Sequence, residues 1–265
     1  MRPIDDPFFD CPRTTLPTSE GEVDFPILYL DTSTLVAGFW VDAEAARACI
    51  KGQGLRLAMT LGSRAMVMMA FYNYRVTTVG SYNEVGLAIP VVPENAPAGT
   101  RWMQALTDVD SPKRDLGYYV VHLPVTTAAA NAAGREAWGL PKFVTPIDFT
   151  LQGREVTMRV RDPERPGQTS AAICELSGSM GLGVPGPSIG VVLYSQLNGQ
   201  KLRATVNVRG GGDLHLPGSL RLSVGASAHP MARTLRELGL HGARPVWLSA
   251  THKFQSRLNL GVPYA

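Results

Sequence analysis

The chain has 265 residues, 45% of them hydrophobic and 18% charged, with a formal net charge of +3. That balance excludes a disordered chain and supplies enough apolar surface for one large or two small cored domains. The basic residues are dispersed, which argues against a nucleic-acid footprint, and the longest apolar run, residues 65–71, is too short to span a bilayer.

The first residues, Met1-Arg2-Pro3-Ile4-Asp5-Asp6, carry no basic segment followed by an apolar one, so the expectation is a cytoplasmic protein. Residues 1–24, with prolines and acids, read as a surface arm, and residues 25–265 as a single domain. Residues 25–40 are β-branched and aromatic and predict a strand, after which Asp42 caps a short helix. Residues 66–76 and 81–92 flank Gly80 as a hairpin, and Met66, Met68, Met69 and Phe71 read as barrel lining. A strand at 118–123 precedes an alanine-rich helix capped by Thr126-Thr127 and stopped at Gly139-Leu140-Pro141.

Two further hairpins are predicted, 143–151 with 155–160 across Gln152-Gly153, and 189–197 with 201–208 across Asn198-Gly199. Ser227 then caps a helix over 229–240, and a strand at 245–250 closes the chain. Strands joined by short turns, without a repeat, give a mainly β (α+β) fold: a closed or partly closed antiparallel β-barrel with a few helices, able to hold a ligand.

Several motifs fail on context. Gly181-Leu182-Gly183-Val184-Pro185-Gly186 has the spacing of a dinucleotide loop, but a strand follows it where a helix is required. Ser188 in Gly186-Pro187-Ser188-Ile189-Gly190 matches a nucleophile elbow, with Asp213 and His215 or His229 downstream, yet lacks the strand-to-helix turn. Gly210-Gly211-Gly212 reads as a flexible turn and His122 as a satisfied core residue. Cys11, Cys49 and Cys174, odd in number and widely spaced, read as reduced thiols, and neither a metal nor a cofactor is expected.

Lys142 stands apart. It is the only charge in Trp138-Gly139-Leu140-Pro141-Lys142-Phe143-Val144, where it either lays its stem on apolar neighbours or is desolvated into a neutral amine that attacks a carbonyl. Gly134-Arg135-Glu136-Ala137-Trp138-Gly139-Leu140-Pro141-Lys142 resembles the signature of the acetoacetate decarboxylase family, in which the lysine forms a Schiff base with substrate. Tyr82-Asn83-Glu84-Val85-Gly86-Leu87-Ala88-Ile89-Pro90-Val91 resembles the family segment whose glutamate faces that lysine.

The resemblance implies a catalytic Lys142 with Glu84 handling the proton or orienting substrate, a small keto-acid substrate, no cofactor and a homo-oligomer. Candidate pocket residues are Tyr82, Trp138, Leu140, Phe143 and Arg75, with Arg135 neutralising Glu136 as a structural brace. Phe143 stands where the family carries a second lysine, and Thr32 near the place of a pocket arginine. Decarboxylation of a β-keto acid therefore competes with aldol condensation and dehydration of pyruvate on the same amine, and with a non-catalytic barrel that binds a small acid. Desolvation frees the amine only if neighbouring acids are protonated, engaged elsewhere or turned away.

Overall fold

The computed structural model describes residues 6–97, 102–165 and 171–264. The chain begins with a hairpin, β1 (Thr14–Thr18) and β2 (Gly21–Phe25), turned at Gly21 with φ 111°. Leu16 and Val23 pack against a buried cluster beneath the second helix, so the segment read as a surface arm adds to the core. The long strand β3 (Ile27–Asp42) ends where the Asp42 carboxylate accepts the amides of Glu44 and Ala45 and starts α1 (Ala43–Cys49). Short strands β4 (Leu55–Leu57) and β5 (Thr60–Leu61) precede the hairpin of β6 (Arg64–Thr77) and β7 (Tyr82–Pro93).

A 3-10 turn at Trp102–Leu106 leads to β8 (Gly117–Val125), then α2 (Ala128–Trp138) and β9 (Lys142–Val144). There follow β10 (Ile147–Gln152), β11 (Glu155–Arg161), β12 (Ala172–Ser179), β13 (Gly183–Pro185), β14 (Val191–Leu197) and β15 (Gln200–Arg209). The chain closes with β16 (Asp213–His215), β17 (Arg221–Val224), α3 (Pro230–Glu237), β18 (Trp247–Leu258) and β19 (Val262–Pro263).

Seven strands form a closed barrel in the order β18, β3, β6, β7, β8, β14, β15, with β15 pairing back onto β18. Neighbours are antiparallel except β14 on β8, and β9 also adds to β8 in parallel. A second sheet, β10-β11-β12-β17, lies outside with α3 packed on it. The stretch expected as one strand over 143–151 is two: β9 joins the barrel, β10 joins the outer sheet, and Pro146, with no amide to donate, sits between them. Likewise α3 starts later than expected, because His229 Nδ1 rather than Ser227 accepts the first free amide, that of Met231.

The β3-β6-β7 wall is buried on both faces, which explains its nearly continuous apolar sequence. Leu35, Ala37, Val67, Met69, Phe71 and Leu87 face outward into one cluster with Met158 and Leu176 of the second sheet. Val36, Met68, Ala70 and Ala88 face inward. Of the residues read as barrel lining, Met68 alone takes that place: Met69 and Phe71 have the opposite parity, and Met66 packs with Met59 and Leu116. Among the described residues no helix is long and apolar enough to cross a membrane.

Candidate active site

The barrel encloses a cavity of about 240 Å³. Tyr29, Tyr74, Glu84, Leu123 and Lys142 line one end, and Val36, Met68, Ala88 and Trp247 the other. A bulge decides which residues of β8 point in: Ala88 pairs with Val120 while Leu87 pairs with His122, leaving one extra residue on β8. Tyr118 and Val120 therefore face inward before the slip and Leu123 after it. Leu123 pairs with Lys142, and strand alternation turns Lys142 into the cavity and Phe143 away from it.

The segment before Lys142 explains the signature residue by residue. Thr127 Oγ1 caps α2 by accepting the Ala130 amide, and Gly139 ends the helix at φ 66°, where a Cβ would lie 2.0 Å from the Gln196 carbonyl oxygen. Gly134 is required by the lysine, since a Cβ there would sit 2.3 Å from Lys142 Cε and 2.4 Å from Cδ. Arg135 donates to the Lys142 carbonyl at 3.0 Å, fixing the backbone that carries the amine. Glu136 accepts the amide and hydroxyl of Ser19 at 3.0 and 2.6 Å, tying the N-terminal hairpin to α2. The expected Arg135–Glu136 pair gives way to these two separate braces.

Lys142 Nζ donates to Glu84 Oε2 at 2.7 Å, with side chains 6% and 9% exposed. Tyr74 donates to Glu84 Oε1 at 3.2 Å, Tyr29 and Tyr82 hydroxyls meet at 3.3 Å, and the Tyr82 ring lies 5.6 Å from Nζ. Burial, and after it the negative charge of Glu84, raises the Tyr29 and Tyr74 phenols above their usual value. Burial and then Tyr29 do the same for Tyr82. These hydroxyls stay protonated and remain donors.

Glu84, Lys142, Tyr82 and Leu140 thus come together. Three other pocket candidates face elsewhere. Trp138, the last residue of α2, is buried edge-on to Phe25, with its indole N–H on the Asn259 carbonyl. Phe143 packs on the His229 ring outside the barrel. Arg75 binds Asp31 at 2.8 Å and Ser33 on the outer side of β6.

Sequence reasoning missed Tyr29, Tyr72, Tyr74 and Thr34. Tyr72 and Tyr74, two apart on one strand, were the available signal. Among the described lining residues Lys142 and Glu84 are the only charged ones, and the Thr34 hydroxyl is buried without a partner. Thr32 is fully buried, also with an unpartnered hydroxyl.

The rejected motifs keep their bland readings: Gly183–Pro185 is a strand paired to β16, and His215 is turned to the Gly181 carbonyl. His122 bonds Thr234, as a satisfied residue would. The cysteines are free, and burial followed by the Glu175 charge pushes Cys174 up to about 12, away from reactivity. Among the described residues no group of three or more His, Cys, Asp or Glu side chains is placed to hold a metal.

The family model for acetoacetate decarboxylase matches residues 10–169, a span that contains both Glu84 and Lys142. The chain belongs to the acetoacetate decarboxylase family. Solved structures with this architecture include an acetoacetate decarboxylase from Legionella pneumophila, at a TM-score of 0.64 and 18% identity over 99% of this chain and 93% of that one. The enduracididine biosynthesis enzyme MppR complexed with pyruvate aligns at 0.58 and 11% identity over 90% of each chain. An acetoacetate decarboxylase-like enzyme from Sphingomonas wittichii aligns at 0.58 and 12% identity, covering 92% of this chain and 94% of its own. No match to a curated protein was found. At these identities the likeness carries the barrel of the acetoacetate decarboxylase family and leaves the reaction to be argued from the site.

Proposed function

We propose that this family member is a Schiff-base lyase that decarboxylates a β-keto acid on Lys142. The observation that carries the reading is the buried 2.7 Å contact between Lys142 Nζ and Glu84 Oε2 at one end of a mainly apolar cavity. A buried ion pair is costly to desolvate, so passing the proton from the ammonium to Glu84 removes two charges from the interior at once. The free amine then attacks the substrate ketone, and Glu84, now a carboxylic acid, protonates the departing water as the carbinolamine collapses to an iminium. The bond between the α-carbon and the carboxylate breaks, its electron pair moves into the iminium to form an enamine, and carbon dioxide leaves. Protonation at the α-carbon and hydrolysis by water return the ketone and the amine.

The absence of a second cation, which at the level of sequence opens the aldol alternative, weighs against it once the whole described lining is considered. A pyruvate enamine keeps its carboxylate through the reaction and needs a partner for that charge, yet among the described lining residues Lys142 is the only cation. A β-keto acid sheds its carboxylate as neutral carbon dioxide, so phenol donors and apolar walls suit the departing charge better than an arginine would. The second reading, aldol condensation and dehydration of pyruvate, draws on the likeness to pyruvate-bound MppR.

Borohydride added during turnover of a β-keto acid is expected to trap a reduced adduct on Lys142, located by peptide mass spectrometry, with carbon dioxide released in its absence. An unsaturated keto acid formed from pyruvate and an aldehyde, without carbon dioxide from the β-keto acid, would select the second reading. Absence of any Lys142 adduct would leave only a binding barrel.

A further inference from the structure

The cavity is far longer than a four-carbon acid requires. Its inward positions on β6 run from Tyr74, hydrogen-bonded to Glu84, to Met68, six residues along an extended strand or about 20 Å. Beyond the reacting end the walls are mainly apolar, with Val36, Met68, Val191, Val206, Val208 and Trp247 beside the hydroxyl residues Ser188 and Ser249, and with Ala88 leaving space between them. Among the described lining residues this stretch holds no charged side chain.

The apolar surface does not stop at the rim. Leu214 lines the cavity and is 40% exposed, and its cross-strand partner Val184 is 63% exposed. Leu182 and Leu216, joined by a backbone bond next to that pair, are exposed on the same ribbon at 75% and 66%. Gly210, Gly211 and Gly212 keep this rim free of side chains.

A methyl ketone head alone would leave that length of apolar wall facing water, whereas an alkyl tail removes it from solvent. We propose that the barrel selects a β-keto acid with an unbranched apolar tail of medium length, its carbonyl at Lys142 and its tail running past Met68 and Ala88 toward Leu214. The proposal rests on the Schiff-base role of Lys142 and adds the substrate class. The products are then carbon dioxide and the methyl ketone of the shortened chain, and no co-reactant other than water is needed.

The test compares acetoacetate with β-ketohexanoate and β-ketooctanoate by carbon dioxide release, with borohydride trapping run in parallel on each. Burying one methylene raises kcat/KM by about fourfold, so β-ketooctanoate should exceed acetoacetate by on the order of a hundredfold. Ala88→Phe and, as an independent variant, Val36→Phe fill the far end and should cut that preference to under about tenfold. Equal turnover of all three acids, with a Lys142 adduct present, overturns the tail proposal while the Schiff-base reading stands. A preference unchanged in both variants overturns the placement of the tail, and no adduct on Lys142 from any of the acids overturns both readings.

Discussion

The outer and inner faces of the β3-β6-β7 wall are made by alternate residues of the same strands, and they do opposite work. Outside, Val67, Met69, Phe71 and Leu87 are fully or almost fully buried against the second sheet, with no polar group among them. Inside, Thr34, Met68, Tyr72, Glu84 and Ala88 face open space that includes a buried charge pair. A cavity and a buried pair both cost stability, so they persist only where other contacts hold the strands apart. The outer seam supplies that rigidity, and the inner face is free to be chemically demanding.

Lys142→Ala tests the inner face alone and should have the largest effect. On the proposed Schiff-base role, turnover is expected to fall by on the order of 10⁴-fold or more, the loss seen when a covalent nucleophile is removed. Stability should fall as well, because Glu84 loses its partner at 2.7 Å, and Lys142→Ala/Glu84→Gln should recover part of the melting temperature with no recovery of activity. The outer-face counterpart is Phe71→Ala, expected to cost about 3 to 5 kcal/mol in denaturant unfolding. Its kcat/KM per folded molecule should stay within a few fold of the parent. A collapse of turnover in folded Phe71→Ala would show that the two faces are not separable.

Much of the fold is legible because strands, turns and caps are written locally: Asp42, Thr127 and Gly139 punctuate the chain where the sequence places them. Lys142 and Glu84 are legible too, through two short motifs in the right order. What stays hidden is parity. The bulge on β8 and the break at Pro146 each shift which residues face inward; the bulge has no signature in the sequence, and the break had one only in the proline itself. Phe143 and Arg75 were expected beside the amine because they are near it in sequence or on a neighbouring strand, but alternation turns both outward. Tyr29 is hidden for the converse reason, since it reaches Tyr74 and Tyr82 only through pairing of strands distant in sequence.

Gly134→Ala asks how finely the inner face is set by the element behind it. The added methyl would meet Lys142 Cδ and Cε well inside contact distance, so the lysine stem must shift by about an ångström. A displacement of that size at a reacting atom costs roughly a hundredfold in kcat. Alanine is a better helix former than glycine by up to about 1 kcal/mol, so the melting temperature should hold or change little while kcat falls. An unaltered kcat would mean that the amine tolerates a looser placement than the contact with Glu84 suggests.

The smallest expected effect lies on the outer face and depends on pH. His122 follows the β8 bulge and points outward to Thr234 of α3 at 3.0 Å, and burial, with a lesser contribution from His229, pushes it down to about 4. In the unfolded chain a histidine titrates near 6.5. Between those values the unfolded state binds a proton that the folded state does not, so stability rises with pH across this window and is lost as pH falls from about 6.5 toward 4. The full shift corresponds to about 3 kcal/mol at most, with a smaller share lost by pH 5. His122→Gln keeps a side chain able to bond Thr234 but removes the titration, so the drop in melting temperature between pH 7 and pH 5 should be smaller in the variant than in the parent. An identical drop in both proteins would place the acid sensitivity elsewhere, with the partly buried His229 ring as the next group to replace because burial lowers it too.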